Sequence, residues 1–297
     1  VYLEGRQLGQ DFAGKDGWSM YHGQIIPGFP RHPHRGFETI TVVRNGIIDH
    51  ADSLGAAARY GDGDVQWLTA GDGINHAEMF PLIRTQESNP TDFFQIWLNL
   101  PAANKRVAPH FSMFWANQIP VIKSKDAKGR LVEVTVVAGR YDGSEPLTPP
   151  PNSWASFPES DLAIWTIRLA PAAQWTLPAA QSGTQRSLYT VRGGEVEVAG
   201  RSIGSRHHME VMSDQEVEVV NGASPSELLL LQGRPIGEPI AHYGPFVMNT
   251  QEEIVQAITD YRATEFGGWP WKSTAPTHGN EYLRFARHAD GREERPI

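Results

Sequence analysis

The chain has 297 residues, 40% of them hydrophobic and 20% charged, which suits one large or two medium globular domains with buried cores. It contains no cysteine, so disulfides and thiolate chemistry are excluded and any metal must be held by nitrogen and oxygen. A formal charge of −8 argues against direct nucleic-acid binding; no apolar run reaches membrane-spanning length and no basic-then-apolar signal pattern opens the chain, so a cytoplasmic protein is expected.

The 29 glycines and 22 prolines punctuate short runs rich in Val, Ile, Thr, Phe and Trp, a pattern that predicts an all-β barrel or sandwich. Strands are predicted at 38–43, 46–50, 64–69, 92–99, 131–138, 163–169, 187–192, 195–199, 216–220 and 226–232. Arg44-Asn45-Gly46 and Arg192-Gly193-Gly194 each lie between two apolar strands, predicting a related hairpin in each half and a weak internal duplication. Residues 141–159, with Pro149-Pro150-Pro151, read as a linker, which gives one domain over 1–140 and a second over 141–297. Late in the chain, Thr250 and Glu253 form a capping box, and Ile254, Ala257, Ile258 and Tyr261 follow at helical spacing. Gly267 and Pro270 are expected to stop this helix, and the tail beyond Trp269 is expected to run as an extended arm.

Chemistry concentrates near the start. In Arg31-His32-Pro33-His34-Arg35-Gly36-Phe37-Glu38, residues two apart on an extended segment point the same way, so His32 and His34 can converge on one ion. Pro33 holds the backbone extended, and Glu38 has the same parity and can also face inward. His76 and Glu78 form a second same-face pair, and the glycine-rich turns around 61–64 and 69–73 allow one pair to fold over the other. Three imidazoles and a carboxylate leave one or two open positions on an octahedral ion.

The remaining histidines are less informative. His207 and His208 are adjacent, face opposite sides of a strand and read as a polar loop, so no metal is expected in the second half. His50 reads as a surface or hydrogen-bonded residue, His22 and His110 read as rim residues at most, and His242, His278 and His288 carry no pattern. Phe93, Gln95 and Trp97 share one face of their strand, as in a ligand-lined barrel interior or in ordinary core packing.

The spacing of His32, His34, Glu38 and Gly46 resembles the first motif of the cupin superfamily, and the run from Gly63 through Gly71 to His76 resembles the second. His32-Pro33-His34-Arg35-Gly36-Phe37-Glu38-Thr39, Asp52-Ser53, His76-Ala77-Glu78-Met79 and Gln95-Ile96-Trp97-Leu98-Asn99-Leu100 resemble the pirin family more specifically. The similarity resumes at Leu230-Leu231-Gln232-Gly233-Arg234-Pro235 and at Tyr243-Gly244-Pro245-Phe246-Val247-Met248-Asn249-Thr250. The segment before Pro27 and the tail beyond Gly268 depart from the common pirin pattern.

This resemblance implies two antiparallel cupin (jelly-roll) β-barrels with a short C-terminal helix, and one metal ion per chain in the N-terminal barrel. It places the ligands on His32, His34, His76 and Glu78, with Glu38 next to the site but off the metal. Iron(II) is the implied ion, although such donors also suit Mn, Co, Ni, Cu or Zn. Two functions follow. One is a quercetin 2,3-dioxygenase-type enzyme using O2 and a flavonol-like enolic aromatic, with Glu78 as catalytic base. The other is a redox- or ligand-sensing regulator that binds a protein partner, which the acidic charge suits.

Overall fold

The computed structural model describes residues 25–296, so His22 and most of the opening segment lie outside the described residues. The chain forms two compact units, one made of Val1–Ala116 with Glu238–Ile297 and the other of Asn117–Gly237.

The first unit opens with β1 (Gly28–His34), β2 (Phe37–Asn45), β3 (Ile47–Asp52), β4 (Ala57–Gly61), β5 (Val65–Thr69), β6 (Ile74–Met79), β7 (Asp92–Asn99) and β8 (His110–Phe114). The second unit contains β9 (Val121–Lys125), β10 (Leu131–Ala138), β11 (Ala163–Leu169), β12 (Gln174–Leu177), β13 (Gln185–Arg192), β14 (Val196–Val198), β15 (Arg201–Ile203), β16 (His208–Glu210), β17 (Val217–Asn221) and β18 (Ser226–Gly233). The chain then returns to the first unit with β19 (Ala241–Tyr243), β20 (Phe246–Met248), α1 (Gln251–Thr264), β21 (Phe285–Arg287) and β22 (Glu293–Glu294). Each of the ten predicted strands is present, and each unit is built on two antiparallel sheets in the manner of a jelly roll, the first also carrying the two-stranded pair β19-β20.

In the first unit the sheet β1-β6-β3-β4-β21-β22 accompanies the sheet β7-β2-β5-β8. Val43, Ile48, Tyr60, Leu68, Ile74 and Phe111, drawn from both sheets, form one core. In the second unit β16-β13-β18-β11-β10-β9 accompanies β12-β17-β14-β15, around Val134, Trp165, Ile167, Trp175, Leu188 and Val219. The alternation in β10, Leu-Val-Glu-Val-Thr-Val, puts Val132, Val134 and Val136 in that core.

The two predicted hairpins are not hairpins. β2 pairs with β5 and β7 while β3 pairs with β4 and β6, so the turn at Gly46 carries the chain from one sheet to the other. The turn at Gly193 does the same, since β13 pairs with β16 and β18 and β14 with β15 and β17. Both corners follow a register shift, at Val43/Asn45 and at Thr190/Arg192, and a bulge bends a strand in this way. Both glycines have positive φ, 82° and 104°, and a Cβ would meet Pro90 O at 2.2 Å or Ser226 Oγ at 2.3 Å. The duplication is therefore one of corners.

The two units meet in sequence after Ala116 and after Gly237. Residues 141–159 lie inside the second unit, where they form 3-10 turns at Trp154–Ser156 and Pro158–Ser160 rather than a linker. The helix and tail belong to the first unit. Local composition marked the proline-rich stretch, but long-range pairing decides the boundary: β21 pairs with β4 in a register from Phe285↔Arg59 to Arg287↔Ala57. The buried Arg59 guanidinium holds Asp49 through two bonds of 2.6 and 2.7 Å and donates to the carbonyls of Gly279 and Glu281 in the tail.

Thr250 and Glu253 form the expected capping box. The helix ends at Thr264, before Gly267, because Glu265 and Phe266 take left-handed conformations, each with φ 47°. Phe266 is buried against Phe246 and Tyr261, so packing overrides the ~1–3 kcal/mol that such a conformation costs a non-glycine residue.

Candidate metal centre

β1 and β6 are antiparallel neighbours in which His32 faces His76 and His34 faces Ile74. That register, with period-two alternation, puts His32, His34, Ile74, His76 and Glu78 on one face. A ligating nitrogen of each of His32, His34 and His76 lies within 4.8 Å of the others. The ring centroids are 4.8 Å apart for His32–His34, 4.4 Å for His32–His76 and 4.9 Å for His34–His76. His32 Nδ1 lies 2.8 Å from the Pro30 carbonyl, a contact that assigns the proton to Nδ1 and leaves Nε2 with its lone pair toward the cluster.

Glu78 closes the group from His76's own strand, with Oε2 3.8 Å from His76 Nε2. Its carboxylate is held from the other sheet. Gln95 Nε2 donates at 3.1 and 2.8 Å to the two oxygens, and the Thr41 hydroxyl donates at 3.2 Å to Oε1. Burial pushes the Glu78 carboxyl above the usual carboxylate range, against the opposing effects of Gln95, His50 and Thr41. Burial likewise holds His34 and His76 well below the ordinary imidazole range, reinforced by the neighbouring histidines, so both are neutral and carry a lone pair.

The donor set fits a metal ion. Both ring nitrogens of His76 are buried with no hydrogen-bond partner, and those of His34 make no well-formed hydrogen bond, although the Pro245 carbonyl favours its protonated form. Leaving a buried polar atom unpaired costs about 1–3 kcal/mol, and converging lone pairs are what a divalent cation satisfies.

Surrounding groups fix these side chains. His50, expected at the surface or in a hydrogen bond, is fully buried, 5.6 Å from the His76 ring, with Nε2 3.1 Å from Asp52 Oδ2. His278 reaches the His50 carbonyl at 2.7 Å. Arg35 anchors the histidine strand to the helix through Asp260 at 2.7 Å and lies 4.5 Å over the Phe266 ring. Its hydrogen bond, followed by that of Gln256, holds the Asp260 carboxyl below its usual range. Glu38 is buried and accepts from the Thr69 hydroxyl at 2.6 Å.

Of the proposed pocket residues, Gln95 touches Glu78, and Trp97 lies 5.6 Å from the His34 ring and 4.5 Å from Phe37. Trp97 is 47% exposed. Phe93 packs on Phe80 in the core instead. Sequence reasoning passed over His242, whose ring lies 6.3 Å from Trp97, and Thr41, which no spacing marks. His110 and His288 border a separate cavity of about 190 Å³. His207 and His208 are exposed, and among the described residues no other cluster of three metal-ligating side chains occurs.

Residues 6–98 match the family model described as Pirin, and residues 164–267 match the Pirin C-terminal cupin domain. Human Pirin is 35% identical over 257 residues, 83% of this chain and 81% of that protein. A Pseudomonas aeruginosa protein carrying a quercetin 2,3-dioxygenase name is 34% identical over 239 residues, 80% of this chain and 79% of its own. A crystal structure titled quercetin 2,3-dioxygenase from Acinetobacter baumannii superposes with a TM-score of 0.71 at 32% identity, covering 82% of this chain and 80% of that one. Two matched models across more than half of the residues, and relatives a third identical along four-fifths of their length, make this chain a member of the pirin family.

Proposed function

We propose that the chain is a mononuclear metal oxygenase of the quercetin 2,3-dioxygenase type, with one ion held by His32, His34, His76 and Glu78. The observation that carries this reading is the convergence of three imidazoles, two of them buried and neutral, beside a carboxylate. The names of the Pseudomonas and Acinetobacter relatives support the substrate class, an enolic aromatic used with O2.

Bound there, iron supplies Lewis acidity and redox capacity. The chain's own residues do the rest. The three imidazoles present lone pairs in a fixed arrangement, with His32 oriented by the Pro30 carbonyl. Trp97, partly exposed beside His34, offers an indole face on which an aromatic substrate stacks. Glu78, held by Gln95 and Thr41, accepts the proton of the substrate hydroxyl at a carboxylate oxygen.

The test combines metal analysis of the purified protein with oxygen uptake on quercetin and other flavonols. One ion per chain and flavonol-dependent oxygen consumption are expected. A metal-replete protein that consumes no oxygen with any flavonol overturns the enzyme reading. A protein partner whose affinity follows the oxidation state of the iron would then support the sensor.

A further inference from the structure

The second unit holds an unexplained cation. Arg186 lies on β13 with its side chain inside the unit, on the same face as Leu188, and the residue is only 2% exposed. Its Nε and both terminal nitrogens have no hydrogen-bond partner in the protein. Gln232, opposite it on β18, donates its Nε2 to the Asp161 carbonyl and leaves Oε1 without a partner. Both residues border a cavity of about 670 Å³, in the size range of small-molecule sites.

The walls of this cavity set the chemistry. Trp165, Tyr141 and Phe157 supply aromatic surface, and Tyr141 and Phe157 come from the proline-rich stretch that composition had marked as a linker. Two carboxylates, Asp142 and Asp161, also border it. Burial holds the Arg186 guanidinium below its usual range against the opposing charge of Asp161, whose Oδ2 already accepts from Thr184 at 2.7 Å and from the Gln181 amide at 2.9 Å. Arg140 is exposed and paired with Glu145 at 3.1 Å. A buried guanidinium with a planar fork of donors calls for a planar acceptor, and removing such a charge from water without one is costly. Two carboxylates nearby disfavour a phosphate dianion more than a monoanion.

We infer that the second unit binds a small aromatic carboxylate, with its carboxylate on Arg186 and its ring against Trp165, Tyr141 and Phe157. This site is separate from the proposed metal centre and does not depend on it.

Isothermal titration of the full chain with benzoate, against benzamide as the neutral isostere, tests this. Benzoate is expected to bind once per chain and benzamide at least about tenfold more weakly. Inorganic phosphate is expected not to displace benzoate. Arg186→Met should fold and lose benzoate binding, since an apolar side chain replaces a buried unpaired charge. If that variant does not fold, Arg186→Lys keeps the charge without the fork and is expected to bind about tenfold more weakly. Benzoate could instead reach the histidine cluster, so His76→Ala is the control and should bind benzoate as the parent does. The proposal is overturned if benzoate does not bind, if benzamide binds equally, if the Arg186 variant binds as the parent does, or if His76→Ala abolishes binding.

Discussion

At the scale of single residues, the candidate site makes unequal demands on its members. His76 sits among His32, His34, His50 and Glu78, so His76→Ala is expected to remove most of the bound metal, read by elemental analysis of the purified variant. Glu38 is engaged by Thr69, and Glu38→Gln should leave the metal content close to that of the parent. Glu78→Gln keeps an oxygen that can reach the ion but lacks a basic carboxylate. Oxygen uptake per bound metal is expected to fall ~10²-fold or more, because general-base help is typically worth that much. Parent-level uptake by metal-replete Glu78→Gln would remove the base role. His32, His34, His76 and Glu78 were legible because residues two apart on an extended chain share a face, which requires nothing beyond local geometry. Thr41, His50 and His242 were not, because their places depend on strand pairings and returns far away in sequence.

At the scale of elements, the buried Arg59–Asp49 pair ties the C-terminal tail to β3 and β4. The Asp49 carboxylate also accepts from the His278 backbone at 2.8 Å, and the Trp271 indole donates to the Asp52 carbonyl at 2.8 Å. Arg59→Ala strands a buried carboxylate and two carbonyls, so a loss of about 3–5 kcal/mol is expected in chemical denaturation. Faster proteolysis of the segment around Gly279 should accompany it. Lys105 plays a similar part for the segment before the helix. Its ammonium donates to the Gly36 and Val247 carbonyls at 2.9 and 3.0 Å and to Asn99 Oδ1 at 2.6 Å. Lys105→Met should cost about 2–4 kcal/mol, since it leaves buried acceptors unpaired at ~1–3 kcal/mol each. A change near zero would show that these acceptors find other partners. The ten predicted strands and the capping box were legible from periodicity and turn residues. The corners at Gly46 and Gly193 were read as hairpins because a turn between two apolar strands looks alike whether those strands pair or part. The short strands β15, β16 and β22 carry too few residues to establish a period.

At the scale of the whole molecule, the two units are expected to answer metal removal differently. A ligand that binds only the folded state stabilises it by RT ln(1 + [L]/Kd), about 2.7 kcal/mol when free metal is a hundred times its Kd. Chelation should therefore lower the calorimetric transition of the unit that contains the histidines and leave that of Asn117–Gly237 in place. Equal shifts of both transitions would mean that the ion is not confined to the first unit. No helix among the described residues is long and apolar enough to cross a membrane.

The interrupted layout of the first unit has a consequence for the order in which the protein is made. A ribosome delivers β1 to β8, with all four candidate ligands, before β9 to β18, and it delivers β19 to β22 last. The second unit is continuous and can close while the first still lacks its terminal strands and the partner of Arg59 in the tail. The nascent chain thus displays His32, His34, His76 and Glu78 on an unfinished sheet for the time needed to translate more than a hundred further residues, at about 5–20 residues per second. We therefore expect the ion found in the purified protein to follow the metal supply during expression, read by metal analysis of protein made in media of differing metal content.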